Sequence, residues 1–174
     1  MLYMINSERI NIVPFEIKHL NDYYSGFNAE VTKYQWPDPF ESIEAARSIL
    51  QEFLNEMVHE ETLLFSLLSK NDAFLGSVEV HGLIEDCPEL GIWIIESEQN
   101  KGYAYEALNA VLDYVRSKYN KTEFFYEVDI RNICSTKLLH KFDDKYEIIE
   151  RGFERLTTDS GKELKMKSYI LKVK

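Results

Sequence analysis

The segment from Ile94 to Ala104 (Ile-Ile-Glu-Ser-Glu-Gln-Asn-Lys-Gly-Tyr-Ala) has the residue types of an anion-binding loop. Such a polar loop turns backbone N–H groups toward one point, and the helix that begins after it adds about half a positive charge. Gly102 lets an oxygen approach the backbone closely, and Lys101 would add an ionic contact. These features predict a phosphate site, although an ordinary strand–helix joint with a convenient glycine has the same pattern.

This loop needs a strand before it and a helix after it, and the flanking patterns predict both. Residues 89–95 are apolar on both alternate faces, which indicates a central strand buried on both sides. Residues 103–118 keep helical spacing, and their apolar stripe consists of Ala104, Leu108, Val111, Leu112 and Val115.

The rest of the chain predicts strands and helices without a linker or an internal repeat, so we expect one domain over residues 1–174. The order β, α, α, β, β, β, α, β, α, β, β indicates an α+β, mixed α/β fold class. The first helix is expected to end at Gly26, and Ser42 and Asn132 are expected to cap later helices. The remaining strands are predicted at 9–13, 62–69, 74–81, 123–130, 146–150 and 164–173, and the remaining helices at 16–26, 42–59 and 132–142.

The charge balance restricts the partners of this protein. Its 30 acidic and 20 basic residues give a formal charge of −10, whereas nucleic-acid binders present a basic face, so we expect no nucleic-acid partner. A negative surface attracts cationic substrates, although it equally serves solubility alone. No stretch approaches the roughly 18 unbroken apolar residues of a membrane span, and Glu8 and Arg9 interrupt the region where a signal peptide is apolar. We therefore expect a cytoplasmic protein with no membrane partner.

Cysteine and histidine spacing argues against a metal site. Cys87 and Cys134 have no CxxC or CxxH neighbour, and the four histidines do not form an HxxxH pair. We expect no metal. The sequence does not determine the oligomeric state, and a homodimer is the default expectation.

The anion-binding loop resembles a known family. Gln99-x-x-Gly102-x-Ala104 is similar to the pyrophosphate loop of the GNAT acetyltransferases. The residues from 89 to 94, 100 to 104 and 106 to 108 resemble the branch of that family that acetylates the N-termini of ribosomal proteins. Similar matches to that branch, in order along the chain, are Arg9-Ile10-Asn11-Ile12, Tyr34-Gln35-Trp36-Pro37 and Asn132-Ile133-Cys134-Ser135.

The resemblance implies a GNAT fold, in which helices flank both faces of a mixed, mostly antiparallel twisted sheet. It also implies acetyl-CoA as co-substrate. The strand at 89–95 would separate from its neighbour and leave backbone groups to pair with the pantetheine arm. The residues implied in binding acetyl-CoA are Trp93, Ile94, Ile95, Gln99, Asn100, Lys101, Gly102, Tyr103, Ala104, Asn132 and Ser135.

The family reaction is direct attack of a neutral amine on the acetyl carbonyl, which requires a base for the ammonium proton and an acid for the departing thiolate. Glu89 is the preferred base, with Glu79 and His81 as alternatives, and each of them could instead be a solvated strand-end charge. Many relatives place a tyrosine acid seven residues after the asparagine, where this chain has Leu139. Ser135 or water is therefore the expected acid. An acyl-enzyme on Cys134 is not expected, because no base is paired with it in the sequence.

The acceptor is expected to be a primary amine, and the resemblance favours a protein or peptide N-terminus. A polyamine or another small amine is the alternative, and a non-catalytic acetyl-CoA-binding module is the alternative outside enzymes. Tyr34, Trp36 and Phe40 either line the acceptor pocket as a cation-stabilising wall or pack a loop on the sheet, and His81 is a further candidate contact. The loop at 142–146 departs from the family's Gly-Phe pair, and we expect it to border the acceptor side.

Overall fold

Eight strands form one sheet in the order β1-β2-β3-β4-β5-β6-β8-β7, and every pairing is antiparallel except the parallel pair β5–β6. The computed structural model describes residues 4–174. The strands are β1 Ile5–Asn6, β2 Ile10–Pro14, β3 Leu63–Ser69, β4 Phe74–His81, β5 Glu89–Ile94, β6 Glu123–Asp129, β7 Tyr146–Thr157 and β8 Glu163–Val173. The α-helices are α1 Leu20–Gly26, α2 Ile43–Val58, α3 Tyr103–Tyr119 and α4 Ile133–His140, with 3-10 turns at Ile17–His19 and Glu96–Glu98.

Alternation along the central strands gives the sheet a separate hydrophobic core on each face. On one face, Phe65 of β3 packs with Leu108 and Leu112 of α3. On the other face, the adjacent residue Leu64 packs with Leu50 of α2 and with residues of α1. This arrangement confirms the predicted mixed α/β class with helices on both faces of a mostly antiparallel sheet.

Side-chain caps fix where two of the helices begin, as the sequence predicts. The Oγ atom of Ser42 accepts a hydrogen bond from the N–H of Ala45 at 3.1 Å, and the Oδ1 atom of Asn132 accepts one from the N–H of Ser135 at 3.0 Å. Each of these bonds satisfies a donor that the first turn would otherwise leave unpaired. Among residues 4–174, no helix has the length and apolar content needed to cross a membrane.

Strand β5 is buried on both faces, as its apolar pattern predicts, because Leu90 and Ile94 belong to one core and Trp93 to the other. The pattern did not predict that one edge of the strand is open. The strand pairs with β4 along its whole length, but with β6 only at Glu89 and Leu90. Beyond Leu90 the two strands separate, so Gly91 and Ile92 are only half-buried. Glu89, at the start of the strand, is exposed. The apolar run therefore lines an opening in the sheet as well as a core.

Other differences from the prediction concern the ends of elements. Strand β7 continues through a register shift to Thr157 instead of ending at 150, and β6 ends one residue before Ile130, which is 48% exposed. The first α-helix begins at Leu20, after a 3-10 turn, rather than at residue 16, and it ends at Gly26 as predicted. The lack of a side chain at Gly26 serves packing, since a Cβ there would lie 2.8 Å from the Cγ2 atom of Ile95.

Candidate active site

The separation of β5 from β6 creates two cavities that meet within the sheet. The larger, about 570 Å³, lies beside the first turns of α3 and α4. The smaller, about 180 Å³, lies between the ends of β5 and β6 and reaches β7 and β8. The cavities adjoin each other, because both are lined by Tyr34, Gln35, Ile92, Asn132 and Ser135.

The open edge of β5 carries backbone acceptors that side-chain amides reach. The carbonyl oxygen of Ile92 accepts from Nε2 of Gln35 at 2.9 Å, and that of Ile94 accepts from Nε2 of Gln99 at 3.0 Å. Ile95 instead donates its N–H to Leu75 on the β4 side at 2.9 Å. Because backbone groups alternate along a strand, Ile92 and Ile94 face the opening, whereas Trp93 and Ile95 face β4. Sequence reasoning selected Trp93 and Ile95 and missed Ile92.

The loop from Gln99 to Ala104 is held in an uncommon backbone conformation next to the larger cavity. Asn100 and Gly102 have positive φ angles of 61° and 86°, a region that favours glycine. Arg9 braces the loop from behind, because its Nη1 donates to the carbonyl oxygen of Lys101 at 2.9 Å and its Nε to Glu106 at 2.7 Å. A Cβ on Gly102 would lie 3.2 Å from Nη2 of Arg9. Gln99, Asn100, Gly102, Tyr103 and Ala104 all line the cavity.

Positive charge at the larger cavity comes from residues that sequence reasoning missed. Lys101 is paired with Oε2 of Glu98 at 3.0 Å and is not among the described residues that line the cavity. The larger cavity is lined by two acidic residues, Glu30 and Glu98, and by four basic ones, Lys33, Arg131, Lys137 and Lys141. Their motif signal is weak, since they come from two segments that are about a hundred residues apart. A basic cleft in a protein of charge −10 is a local feature that suits an anionic ligand.

Ser135 is paired with a buried tyrosine where the cavities meet. Its Oγ atom lies 2.6 Å from the hydroxyl oxygen of Tyr126 on β6. Burial raises the pKa of Tyr126 to about 12, against a smaller lowering by its hydrogen bond to Ser135. The sequence gave no signal for this pair, which depends on how α4 packs. The neighbouring Cys134 is exposed, and its Sγ contacts the amide oxygen of Asn100 at 3.6 Å, which is not a general base.

The three candidate bases lie on one face of the sheet, but only one of them lines a cavity. Glu79 accepts from the hydroxyl of Tyr23 at 2.7 Å and lies 2.9 Å from Nε2 of His81. His81 is opposite Glu89 across β4 and β5. Of these described residues, neither Glu79 nor His81 lines either cavity, whereas Glu89 lines the smaller one.

The electrostatics of this cluster depend on burial and on mutual contact. Burial and the nearby Glu79 raise the pKa of Glu89, while His81 opposes the increase. Burial lowers the pKa of His81, but Glu79 and Glu89 outweigh that effect and the net shift is upward. A carboxyl with a raised pKa is a stronger base than a solvated one when it is ionised.

Two carboxylates near the smaller cavity were not predicted. Glu127 on β6 lines it, and burial together with the charges of Glu154 and Glu89 raises the pKa of Glu127. Glu154 lies on β7, two residues from Leu156, which also lines the cavity. The smaller cavity is therefore acidic, in contrast to the larger one.

The aromatic residues of the connection between α1 and α2, Tyr34, Trp36 and Phe40, lie partly at the cavity and partly in the core. Tyr34 and Trp36 line the smaller cavity, as one of the two interpretations expected. Phe40 instead packs against Tyr23 and Phe27, with ring centroids 6.2 and 5.6 Å apart. The guanidinium carbon of Arg131 lies 5.1 Å from the centre of the Tyr34 ring, which fixes that wall of the site.

The loop at 142–146 does not border the acceptor side, which corrects that expectation. None of these described residues lines either cavity. Tyr146 is buried, with its ring centroid 6.2 Å from those of Phe124 and Phe142. The aromatic residue of the altered loop completes the core beside α3.

Comparison with known proteins identifies the family. A family model described as an acetyltransferase (GNAT) domain matches residues 9–143. The chain belongs to this family. It is an N-acetyltransferase that uses acetyl-CoA. Uncharacterized N-acetyltransferase p20 from Bacillus licheniformis is 26% identical over 155 residues, which are 86% of each chain.

Solved structures with the same fold include two GNAT acetyltransferases with different named acceptors. RimL, a ribosomal L7/L12 alpha-N-protein acetyltransferase in complex with coenzyme A, superposes with a TM-score of 0.84 at 14% identity over 98% of both chains. Spermidine N-acetyltransferase from Vibrio cholerae, in complex with CoA and spermine, superposes with a TM-score of 0.78 at 19% identity, covering 94% of this chain and 96% of the other. At these identities the likeness shows the GNAT fold.

The residues of the larger cavity fit the acetyl-CoA that the GNAT family uses. The edge of β5 offers backbone groups of Ile92 and Ile94 to an extended amide chain. The glycine at 102 adopts the positive φ with which the loop enters α3, whose first turn presents unpaired N–H groups. The basic lining residues suit phosphate. Within residues 4–174, no group of three or more histidine, cysteine or acidic side chains is arranged to hold a metal ion.

Proposed function

We propose that this GNAT protein acetylates a primary amine by direct transfer, and that a protein or peptide N-terminus is its acceptor. One observation carries the proposal: a basic cavity and an acidic cavity meet inside the sheet at Ile92 and Ser135. The basic one suits an anionic acetyl donor and the acidic one suits a cationic amine. The two reactants would thus meet from opposite sides, which removes most of the entropic cost of bringing them together.

The donor side holds its ligand through backbone groups and basic side chains. Acetyl-CoA, when bound, supplies the activated acetyl group and a thiolate leaving group. The residues from Gln99 to Ala104 would hold the pyrophosphate, with Arg9 keeping the loop in place. Ile92 and Ile94 would hold the pantetheine arm, and Asn132 and Ser135 would lie near its reactive end.

Glu89 is the proposed base. It lines the acceptor cavity, and its raised pKa brings its basicity closer to that of the ammonium it must deprotonate. His81 and Glu79 would then tune this pKa rather than act on the amine, because neither reaches the cavity among the described residues.

Ser135 is the proposed acid, supported by Tyr126. The Ser135 hydroxyl would donate its proton to the departing sulfur, and the Tyr126 hydroxyl would donate to Ser135 Oγ at 2.6 Å. A tyrosine with a pKa of about 12 keeps its proton at neutral and mildly alkaline pH, where the amine begins to lose its own. This pair would take the role of the tyrosine that relatives have at the position of Leu139.

A peptide N-terminus is preferred on two grounds. The motifs of this chain resemble the ribosomal-protein branch, and RimL has the same fold. The acceptor cavity is also partly apolar, with Trp36, Leu156 and Met166 beside the carboxylates, which suits a residue side chain next to an amine. A polyamine is the second candidate, because Glu89, Glu127 and Glu154 together match a multiply charged cation.

The acceptor class is tested by comparing kcat/KM for peptides that begin with serine or alanine, the same peptides with a blocked N-terminus, and spermidine. The proposal expects the free peptides to exceed spermidine by at least about tenfold, which corresponds to roughly 1.4 kcal/mol of transition-state binding. The blocked peptides should be inactive even if they contain lysine. A higher kcat/KM for spermidine would replace the peptide with a polyamine.

A further inference from the structure

The side chain of Gln35 is held rigidly at the junction of the two cavities. Its Nε2 donates to the carbonyl oxygen of Ile92 at 2.9 Å, and its backbone N–H donates to the carbonyl oxygen of Thr32 at 3.0 Å. The side chain therefore reaches from the connection between α1 and α2 to the open edge of β5. Gln35 lines both cavities.

A second anchor fixes the backbone of this segment. Nζ of Lys162, in the turn between β7 and β8, donates to the carbonyl oxygens of Thr32 at 2.9 Å and Gln35 at 2.8 Å. The same Nζ lies 3.1 Å from Oδ1 of Asp38, which also accepts from Thr158 Oγ1 at 3.0 Å. With both backbone and amide nitrogen restrained, Gln35 has little freedom to turn its carbonyl oxygen elsewhere.

The Oε1 atom of Gln35 is buried and has no hydrogen-bond partner among the described residues. Buried side-chain acceptors are almost always paired, because leaving one unpaired loses the hydrogen bonds that water would supply. In the free protein the amide of Gln35 uses its N–H group but not its oxygen. Its oxygen is therefore suited to a ligand that donates an N–H or O–H group. Reversing the amide would not remove the problem, since Oε1 would then face the carbonyl oxygen of Ile92 and neither of these two acceptors has a proton to donate.

We propose that Oε1 of Gln35 accepts a hydrogen bond from the amine nitrogen of the acetyl acceptor and orients it for attack. This inference rests on the proposed function, because it assumes an amine that enters the smaller cavity. A primary amine that has given one proton to Glu89 still has two N–H groups. One of them can bind Gln35 while the lone pair stays free for the acetyl carbonyl. Gln35 is thus a positioning residue, and Glu89 alone takes the proton from the ammonium.

The matching variant pair is Gln35→Met and Gln99→Met. Both glutamines donate Nε2 to a carbonyl oxygen on the same edge of β5, so each change removes one equivalent amide and keeps a similar volume. We expect Gln35→Met to raise KM for the acceptor peptide about tenfold or more, while the acetyl-CoA Kd stays within about twofold. Gln99→Met should do the reverse, because Gln99 belongs to the donor-side loop.

Gln35→Glu completes the test, because it restores a side-chain oxygen at this position. The KM for the acceptor should return most of the way toward the wild-type value, which a purely structural role of the amide would not produce. An active, folded Gln35→Met protein with unchanged acceptor KM would overturn this inference and leave the proposed function intact. A raised acetyl-CoA Kd with unchanged acceptor KM would also overturn it. Wild-type protein that acetylates no amine would overturn both.

Discussion

The hydroxyl oxygen of Tyr126 lies 2.6 Å from Oγ of Ser135, across the boundary between β6 and α4. The tyrosine that many relatives have on the equivalent of α4 is replaced by Leu139, which is fully buried in the core. A side chain at position 139 therefore has no access to the cleft. In the proposed function, the pair of Tyr126 and Ser135 supplies the acidic hydroxyl from two other elements.

Replacing Tyr126 with phenylalanine should lower kcat about tenfold. Ser135 would lose the hydrogen bond from Tyr126 that stabilises its oxygen while Ser135 gives its proton to the departing sulfur. Ser135→Ala should lower kcat about a hundredfold, in the range of general-acid effects. The acetyl-CoA Kd should change little in either protein. Steady-state kinetics together with calorimetric titration of acetyl-CoA measure both quantities.

Tyr146→Phe is the matched control for Tyr126→Phe. Its hydroxyl is also buried but has no hydrogen-bond partner among the described residues, and it is remote from both cavities. We expect wild-type kcat in this control. An equal loss of kcat in both variants would mean that a general loss of packing, rather than the contact with Ser135, slows the reaction.

Replacing Gly102 with glutamate should abolish acetyl-CoA binding. The Cβ of the new residue would lie 3.2 Å from Nη2 of Arg9, so the side chain must displace the residue that braces the loop. It also adds a negative charge at a residue that lines the cavity where we expect phosphate. Acetyl-CoA should raise the Tm of the wild-type protein, as any ligand of the native state does, and should leave the Tm of the variant unchanged.

Gly161→Glu is the control for backbone strain. Gly161 also has a positive φ, 84°, but nothing lies within 4 Å of a Cβ built there. Both variants should lose some stability, and only Gly102→Glu should lose the acetyl-CoA shift. If a folded Gly102→Glu protein keeps the full shift, the loop from Gln99 to Ala104 does not bind the cofactor.

Local signals in the sequence predicted much of this fold. Ser42 and Asn132 cap their helices as expected, because a cap depends on a few adjacent residues. The stripe of α3 was also correct, since Leu108, Val111 and Leu112 are all buried. These features follow from spacing along one element and need no knowledge of what packs against it.

The parts that sequence reasoning missed depend on contacts between distant segments. The separation of β5 from β6 cannot be derived from an apolar strand pattern. Apolar residues are found both in strands that are buried in a core and in strands that line a cavity, so the pattern does not distinguish the two. Gln35 and Ile92 lie 57 positions apart, and Tyr126 meets Ser135 only through the packing of α4. The cations of the donor cavity likewise come together only in the folded chain.

Replacing Glu89 with glutamine should lower kcat about a hundredfold, as the loss of a general base does. Because the pKa of Glu89 is raised, the wild-type rate should rise with pH along an acidic limb that lies at higher pH than the titration of a solvated glutamate. The variant should lack this limb, since an amide does not titrate. The limb from the acceptor's own ammonium group should remain in both proteins.

Glu127→Gln separates proton transfer from charge attraction. Glu127 lines the same cavity, so its loss should raise KM for the acceptor while kcat and its pH profile stay close to wild type. If Glu89→Gln behaves in the same way as Glu127→Gln, then Glu89 only attracts the ammonium. The next candidate base would be His81.

Salt should weaken acceptor binding, because the protein charge of −10 and the acidic cavity attract a cation. The Debye length falls to about 10 Å at about 0.1 M salt, so kcat/KM for the acceptor should decrease steadily as NaCl is raised through this range. A pair of peptides that differ only in one added lysine should differ most at low salt. If kcat/KM for the acceptor does not change with salt, the acidic surface has a role in solubility alone.

Acetyl transfer to an amine at the junction of the two cavities is tested most directly by following both products of one reaction. Wild-type protein is incubated with acetyl-CoA and a peptide that begins with serine, and free thiol and acetylated peptide are measured over time. The account predicts that the two appear in equal amounts, that the acetyl group is on the N-terminal nitrogen, and that Glu89→Gln and Ser135→Ala slow both products together. Binding of acetyl-CoA without release of thiol in the presence of peptide, spermidine or any other primary amine would contradict it.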